Sequence, residues 1–205
     1  MVKKKKYMVL FAGLLVGAMA HGQPMKNLLT NGSFSDPTDP LKTWTIDYEW
    51  TKNSNYVGNR GRVSAKASEA GHNTVAYVAS SKDAGTKRES ILIPFEYGYQ
   101  YTCTLDVKGG PHRLYFAGYR WAPGIRPHET PKPEEMRLIY KGKVAKGDSS
   151  GWERKQISVP GLKVSSLAAK NLKHVRYVTA YVWMMRDGYI DDVKITRRKA
   201  PELYP

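Results

Sequence analysis

Two stretches of this chain place aromatic side chains at every second position. In His112–Trp121 the run H-R-L-Y-F-A-G-Y-R-W puts Arg113, Tyr115, Tyr119 and Trp121 on one parity, with Leu114 and Phe116 on the other. In Arg176–Met184 the run R-Y-V-T-A-Y-V-W-M gives Tyr177, Thr179, Tyr181 and Trp183 one parity, and Val178, Ala180, Val182 and Met184 the other. Period-two alternation rich in β-branched and aromatic residues is the pattern of a strand with two different faces. One face suits a core. The other offers flat, polarisable rings that match the C–H faces of sugars and bury large area at low rotamer cost. If the two strands share a sheet, Tyr115, Tyr119, Trp121, Tyr177, Tyr181 and Trp183 form one ligand platform, rimmed by Arg120, Arg126 and His128. The competing reading makes one stripe core and packs the other beneath a long loop, since sandwiches bury aromatics on both sheets.

Catalytic chemistry has a weaker signature. A glycosidase needs two facing carboxylates roughly 5–10 Å apart, and nothing in the spacing of Glu49, Glu89, Asp106 and Glu129 selects a pair. A polysaccharide lyase could be drawn from Tyr119 as base with Arg120 and His128, but any basic, tyrosine-rich chain allows that drawing. No H-E-x-x-H or phosphate-cradling glycine loop occurs. Cys103, the single cysteine, alternates with Tyr101 and Leu105 and reads as a buried, inert thiol rather than a nucleophile. A lone cysteine cannot staple its own chain, so the fold stands on its core without disulfides.

The elements that would position these residues are short strands separated by glycine and proline. Strand-like runs are Asn27–Phe34, Thr43–Tyr48, Arg62–Ala67, Thr74–Ser80, Glu89–Phe95, Tyr99–Val107, His112–Trp121, Arg137–Ala145 and Trp152–Val159. Lys108-Gly109-Gly110-Pro111 reads as a turn between two of them. Arg186-Asp187-Gly188 reads as a hairpin turn joining Arg176–Met184 to a last strand, Gly188–Thr196, which carries Asp191-Asp192. Only Ser165–Asn171 looks helical. Trp121–Glu135 holds four prolines and reads as an ordered loop. Many short strands with such turns predict an all-β sandwich in one domain.

Met1–Ala20 is read as a signal peptide. Lys3–Lys6 form a basic start, Tyr7–Ala18 an apolar run too short to span a membrane, and Ala18-Met19-Ala20 a cleavage motif. The mature domain, 21–205, is expected to be secreted or periplasmic, soluble and monomeric. The chain carries 33 basic and 18 acidic side chains, a formal charge of +15. The lysines are scattered, as on a solvated surface, and no nucleic-acid motif accompanies them. An exported cationic protein is better matched to an anionic polysaccharide or cell surface.

Several motifs together carry a resemblance. Asn27-Leu28-Leu29-Thr30-Asn31-Gly32-Ser33-Phe34 resembles the opening N-L-L-x-N-G-x-F of the secreted carbohydrate-binding modules of the family 4, 9 and 22 group. Trp44, Phe95–Lys108, Gly151-Trp152-Glu153-Arg154 and Tyr189–Ile195 resemble later motifs of the same modules, in the same order. The resemblance implies a galactose-binding-like jelly roll, with Trp44 and Trp152 used for packing. It also implies a structural calcium, to which Asp191 and Asp36 would contribute, although Ser35 stands where the modules carry an acidic ligand. The sequence therefore leads to an exported, non-catalytic carbohydrate-binding module for a polysaccharide or cell-surface glycan. The alternatives are a sandwich lyase or glycoside hydrolase and a surface module that binds protein.

Overall fold

The computed structural model describes residues 25–42, 44–46, 63–69, 71–78, 86–129, 131–142, 144–162 and 164–204. The expected signal peptide, the cleavage point at His21 and the candidate acid Glu49 lie outside the described residues. Ten antiparallel strands form one sheet: β1 (Trp44–Ile46), β2 (Val63–Glu69), β3 (His72–Val78), β4 (Thr86–Ser90), β5 (Ile93–Pro94), β6 (Tyr99–Trp121), β7 (Met136–Lys141), β8 (Ala145–Val159), β9 (Tyr177–Met184) and β10 (Gly188–Lys199). The order is β1-β4-β9-β6-β10-β3-β2, with β5 beside β9 and β7 and β8 beside β6. Among the described residues one short α-helix, α1 (Ser166–Leu172), is capped by Ser165, whose hydroxyl accepts from the Ala168 amide.

The sheet becomes a sandwich because its longest strand turns a corner. β6 runs for 23 residues, where the sequence predicts two strands and a turn. Its first half pairs with β10, from Tyr99 opposite Lys199 to Gly109 opposite Gly188. Its second half pairs with β9, from His112 opposite Met184 to Tyr119 opposite Tyr177. Here the expected hairpin is corrected: β9 and β10 do not pair with each other but follow β6 end to end, and both ribbons bend together at Gly109–Pro111 and Met185–Asp187. Across this corner the parity changes. Tyr101, Cys103, Leu105 and Val107 face the core before it, and Leu114 and Phe116 after it. The two halves of the folded sheet thus close on one core with Val178, Ala180, Val182, Ile190, Val193 and Ile195. Each such side chain, fully buried, contributes about 1.5–3 kcal/mol. Cys103 is wholly buried there, and desolvation pushes its thiol up to about 12, so it stays protonated.

Other expectations need adjusting. Asn27–Phe34 is not a strand: Asn31 and Phe34 adopt left-handed φ of 56° and 53°, which breaks the extended backbone. The segment instead lies across β10, with Leu28 N donating to Ile195 O at 2.7 Å and Val193 N to Gly32 O at 2.8 Å. A Cβ at Gly32 would strike the Val193 carbonyl. Leu29 and Phe34 plug the core from this side. Glu89–Phe95 breaks into β4 and β5. The proline-rich segment is an ordered loop, closed by Ala122 N donating to Glu135 O at 2.7 Å and by His128 with Glu135 at 2.9 Å.

The corner generates a test. Gly109 has φ +98°, and a Cβ there would lie 2.6 Å from Asp187 O and 2.7 Å from Gly188 Cα. Gly109→Ala is expected to cost about 1–3 kcal/mol, read as a fall in melting temperature of about 2–4 °C per kcal/mol. Gly161→Ala, with open space around it, serves as the neutral control. Equal melting temperatures for the two variants would remove the corner from this account.

Candidate functional site

β9 and the second half of β6 lie side by side, so their outward parities coincide. Tyr115 stands opposite Tyr181, Tyr119 opposite Tyr177 and Arg113 opposite Trp183. Tyr115 and Tyr181 stack with centroids 4.5 Å apart and planes 17° apart. Trp121 meets Tyr177 edge-on at 5.9 Å and His128 at 4.9 Å. All six aromatics read from the alternation are therefore gathered on one face, away from the main core.

That face has two zones. Tyr115, Tyr119 and Tyr181 keep only 5, 4 and 9% of their surface exposed and form a second apolar cluster with Ala117 and Met136. Trp121, Tyr177 and Trp183 flank the cluster and remain half-buried. Two cations lie over the rings, Lys141 4.3 Å from the Tyr115 centroid and Arg113 5.4 Å from that of Trp183. Such contacts are worth about 0.5–1 kcal/mol at exposed sites. Arg120 sits elsewhere: the same alternation turns it to the opposite side of β6, where it is partly buried. Arg126 is exposed on the proline-rich loop.

The structure adds a buried polar group that alternation does not single out. Glu89 of β4, opposite Tyr181, is fully buried, and its Oε1 accepts from the Thr179 hydroxyl at 2.8 Å and the Tyr119 hydroxyl at 3.2 Å. A carboxylate under an aromatic cluster must be met by donors, because burying an unmatched charge is costly. Glu89 is visible in the sequence as one of four scattered acids, but its partners come from distant strands. Burial, and after it the Glu89 charge, push the Tyr119 hydroxyl far above the ordinary tyrosine range. Such a phenol donates hydrogen bonds and is a poor general base, which weighs against Tyr119 in the lyase drawing. Asp106 is likewise engaged, held by Arg154 through Nε at 2.6 Å and Nη2 at 2.8 Å.

The two acids read as calcium ligands lie on segments that the Gly32–Val193 hydrogen bond ties together. Asp191 places Oδ2 2.5 Å from His72 Nδ1, while its Oδ1 is buried without a hydrogen-bond partner. An orphaned buried carboxylate oxygen fits a cation ligand. Asp36 uses Oδ1 to close its own turn, accepting from the amides of Thr38 at 2.8 Å and Asp39 at 3.0 Å, which hold its carboxyl below the usual range. Among the described residues no three His, Cys, Asp or Glu side chains converge, so further calcium oxygens would come from other groups.

Similarity in architecture is clear where similarity in sequence is not. No family model matches the chain, and no curated protein matches it in sequence. The N-terminal tandem of two family 22 carbohydrate-binding modules from Paenibacillus barcinonensis superposes with a TM-score of 0.50 at 9% identity, over 89% of this chain and 52% of that one. A Bacteroides thetaiotaomicron protein, described as a candidate sugar-binding protein, gives a TM-score of 0.50 at 12% identity, over 84% of this chain and 100% of its own. This chain spans 27% of the length of an arabinose-bound α-L-arabinofuranosidase, with a TM-score of 0.48 at 9% identity over 86% of its own residues. The chain thus has the jelly-roll sandwich architecture of carbohydrate-binding modules, as its opening and closing motifs imply. Among the described residues no helix is long and apolar enough to cross a membrane.

The Glu89 group supplies its own prediction. Glu89→Ala removes the acceptor shared by Tyr119 and Thr179, so a loss of about 1–3 kcal/mol is expected, measured by denaturant unfolding beside the exposed-site control Glu129→Ala. Indistinguishable midpoints would mean that the carboxylate has no structural role.

Proposed function

We propose that the chain is an exported, non-catalytic carbohydrate-binding domain that receives a polysaccharide or cell-surface glycan on the outward face of β6 and β9. The observation that carries this reading is the convergence of six aromatics from two neighbouring strands on one face. Its outer rings, Trp121, Tyr177 and Trp183, are half-exposed. Half-exposed rings backed by a packed, hydrogen-bonded layer are preorganised, so little entropy is lost when a sugar stacks on them. Arg113 and Lys141 place positive charge at the same face, which favours an acidic polysaccharide. Two structural neighbours, one a tandem of carbohydrate-binding modules and one described as a candidate sugar-binding protein, point the same way.

The test is one variant with two readouts. Trp183→Ala is expected to weaken glycan binding at least tenfold, about 1.4 kcal/mol, while lowering the melting temperature by only a few degrees, since a fully buried tryptophan would cost about 3–5 kcal/mol. A glycan array of the mature protein, with product assayed on every hit, selects the ligand. Strong destabilisation of Trp183→Ala would make the stripe core. A stable variant with unchanged affinity would move the site off this face, and product release would replace binding with catalysis.

We also propose a structural calcium ion at Asp191, with Asp36 nearby, resting on the orphaned Oδ1. Binding only to the folded chain stabilises it by about 2.7 kcal/mol at a hundredfold excess over Kd. Millimolar calcium is expected to raise the melting temperature of chelator-treated protein, and Asp191→Ala to abolish the rise. No rise in the unmutated protein would remove the ion.

A further inference from the structure

The half of the folded sheet that carries no part of this platform has an aromatic face of its own. β3, β10, β6 and β8 are neighbours there, and their outward side chains form a row. Tyr77 stands opposite Tyr189, with ring centroids 5.3 Å apart, and Tyr189 stands opposite Lys108. Trp152 of β8 leans across to within 6.4 Å of Tyr189, backed by His72, whose ring stacks on it at 3.9 Å. All three rings are half-buried, so each keeps an open side. The ammonium of Lys66 lies 3.7 Å from the Tyr77 centroid and 5.8 Å from that of Tyr189, and the Lys108 ammonium lies 5.7 Å from Tyr189. Lys66 is exposed, and no carboxylate pairs with it among the described residues. The nearby acids are engaged: Asp187 accepts from the Tyr77 hydroxyl at 2.5 Å, and Asp191 from His72. Where the corner opens beside this row, a cleft of about 550 Å³ is lined by Ser149, Ser150 and Arg186.

We propose that this row, Tyr77, Tyr189 and Trp152 with Lys66 and Lys108, is a second binding surface, selective for an anionic glycan. A pyranose bearing a carboxylate or sulfate presents a C–H face to the rings and its charge to a lysine. The lysines already lie at the ring faces, so the anion would meet a cation wherever the sugar meets an aromatic. A neutral glycan would have to displace both ammonium groups from the rings and would gain no ion pair in return. The platform on β6 and β9 also carries cations at its rings, so the two faces are told apart by position, on opposite halves of the fold.

The experiment uses the mature chain and two polymers, polygalacturonate for the carboxylate and dextran sulfate for the sulfate, with neutral xylan as the third. Lys66→Ala/Lys108→Ala is expected to weaken binding of the anionic polymer about tenfold, the sum of two exposed ion pairs, and to leave xylan binding and the melting temperature unchanged. Lys170→Ala/Lys173→Ala removes the same charge from exposed positions at α1, and an equal loss there would reduce the effect to diffuse charge and overturn the proposal. Tyr189→Ala, which keeps every cation, must weaken anionic binding too, with folding checked by its melting temperature. Tyr77→Ala serves in its place if that variant does not fold. Absence of binding to both anionic polymers at low salt also overturns the proposal. Failure of the first platform would show instead in Trp183→Ala, whose readout lies on the other face.

Discussion

Where β6 passes from Lys108 to His112, two backbones come closer than side chains would allow. Gly109 and Gly188 face each other there, and a Cβ on Gly188 would collide with Met184 and the Lys108 carbonyl. This contact lets β6 and the β9–β10 ribbon bend as one unit and lets Met185 N donate to Pro111 O at 2.8 Å across the bend. The change of parity at the corner turns Cys103 and Leu105 toward the same core as Leu114 and Phe116. Without it, one half of the sheet would present its apolar face to water. Everything else follows from the fold-over, including the two outward faces and their different chemistry.

Those faces differ in what supports their rings. The β6–β9 face rests on a nearly dry layer in which Tyr119 and Thr179 satisfy a buried carboxylate, and its outer rings are braced by that layer. On the β3–β10–β8 face His72, which meets the buried Asp191 carboxylate, stacks on Trp152, and lysines lie over the tyrosines. A braced surface favours shape and stacking. Both faces carry cations over rings, and their charge contacts answer to salt.

Much of this was legible in the residues. Alternation in Arg176–Met184 and His112–Trp121 places every aromatic of the first platform on its face, because period two is fixed by strand geometry and survives any topology. The proline-rich loop and the short helix α1 are also local properties, and they are readable for that reason. Pairing is not local. Arg186-Asp187-Gly188 carries hairpin chemistry, yet its strands join β6 rather than each other, because a long central partner offers more hydrogen bonds than a two-stranded ribbon. Asn27–Phe34 reads as a strand from its Leu and Phe, but Asn31 and Phe34 have left-handed backbones that only docking on β10 imposes. Glu89 and the Tyr77–Tyr189–Trp152 row were beyond reach for the same reason. Each is assembled from segments thirty or more residues apart, and no spacing rule connects them.

The seam between the first and last segments has a consequence for how the chain reaches this state. Asn27 Oδ1 accepts from Ile195 N at 2.8 Å, and Leu28 and Gly32 are tied to the same strand, across about 165 residues of sequence. β6 likewise waits for partners up to Lys199. Contacts of this range are paid for in loop entropy before they return any stabilisation, so folding is slow and late. A ribosome must release nearly the whole chain before either end finds its place. Until then the polypeptide remains an unclosed thread.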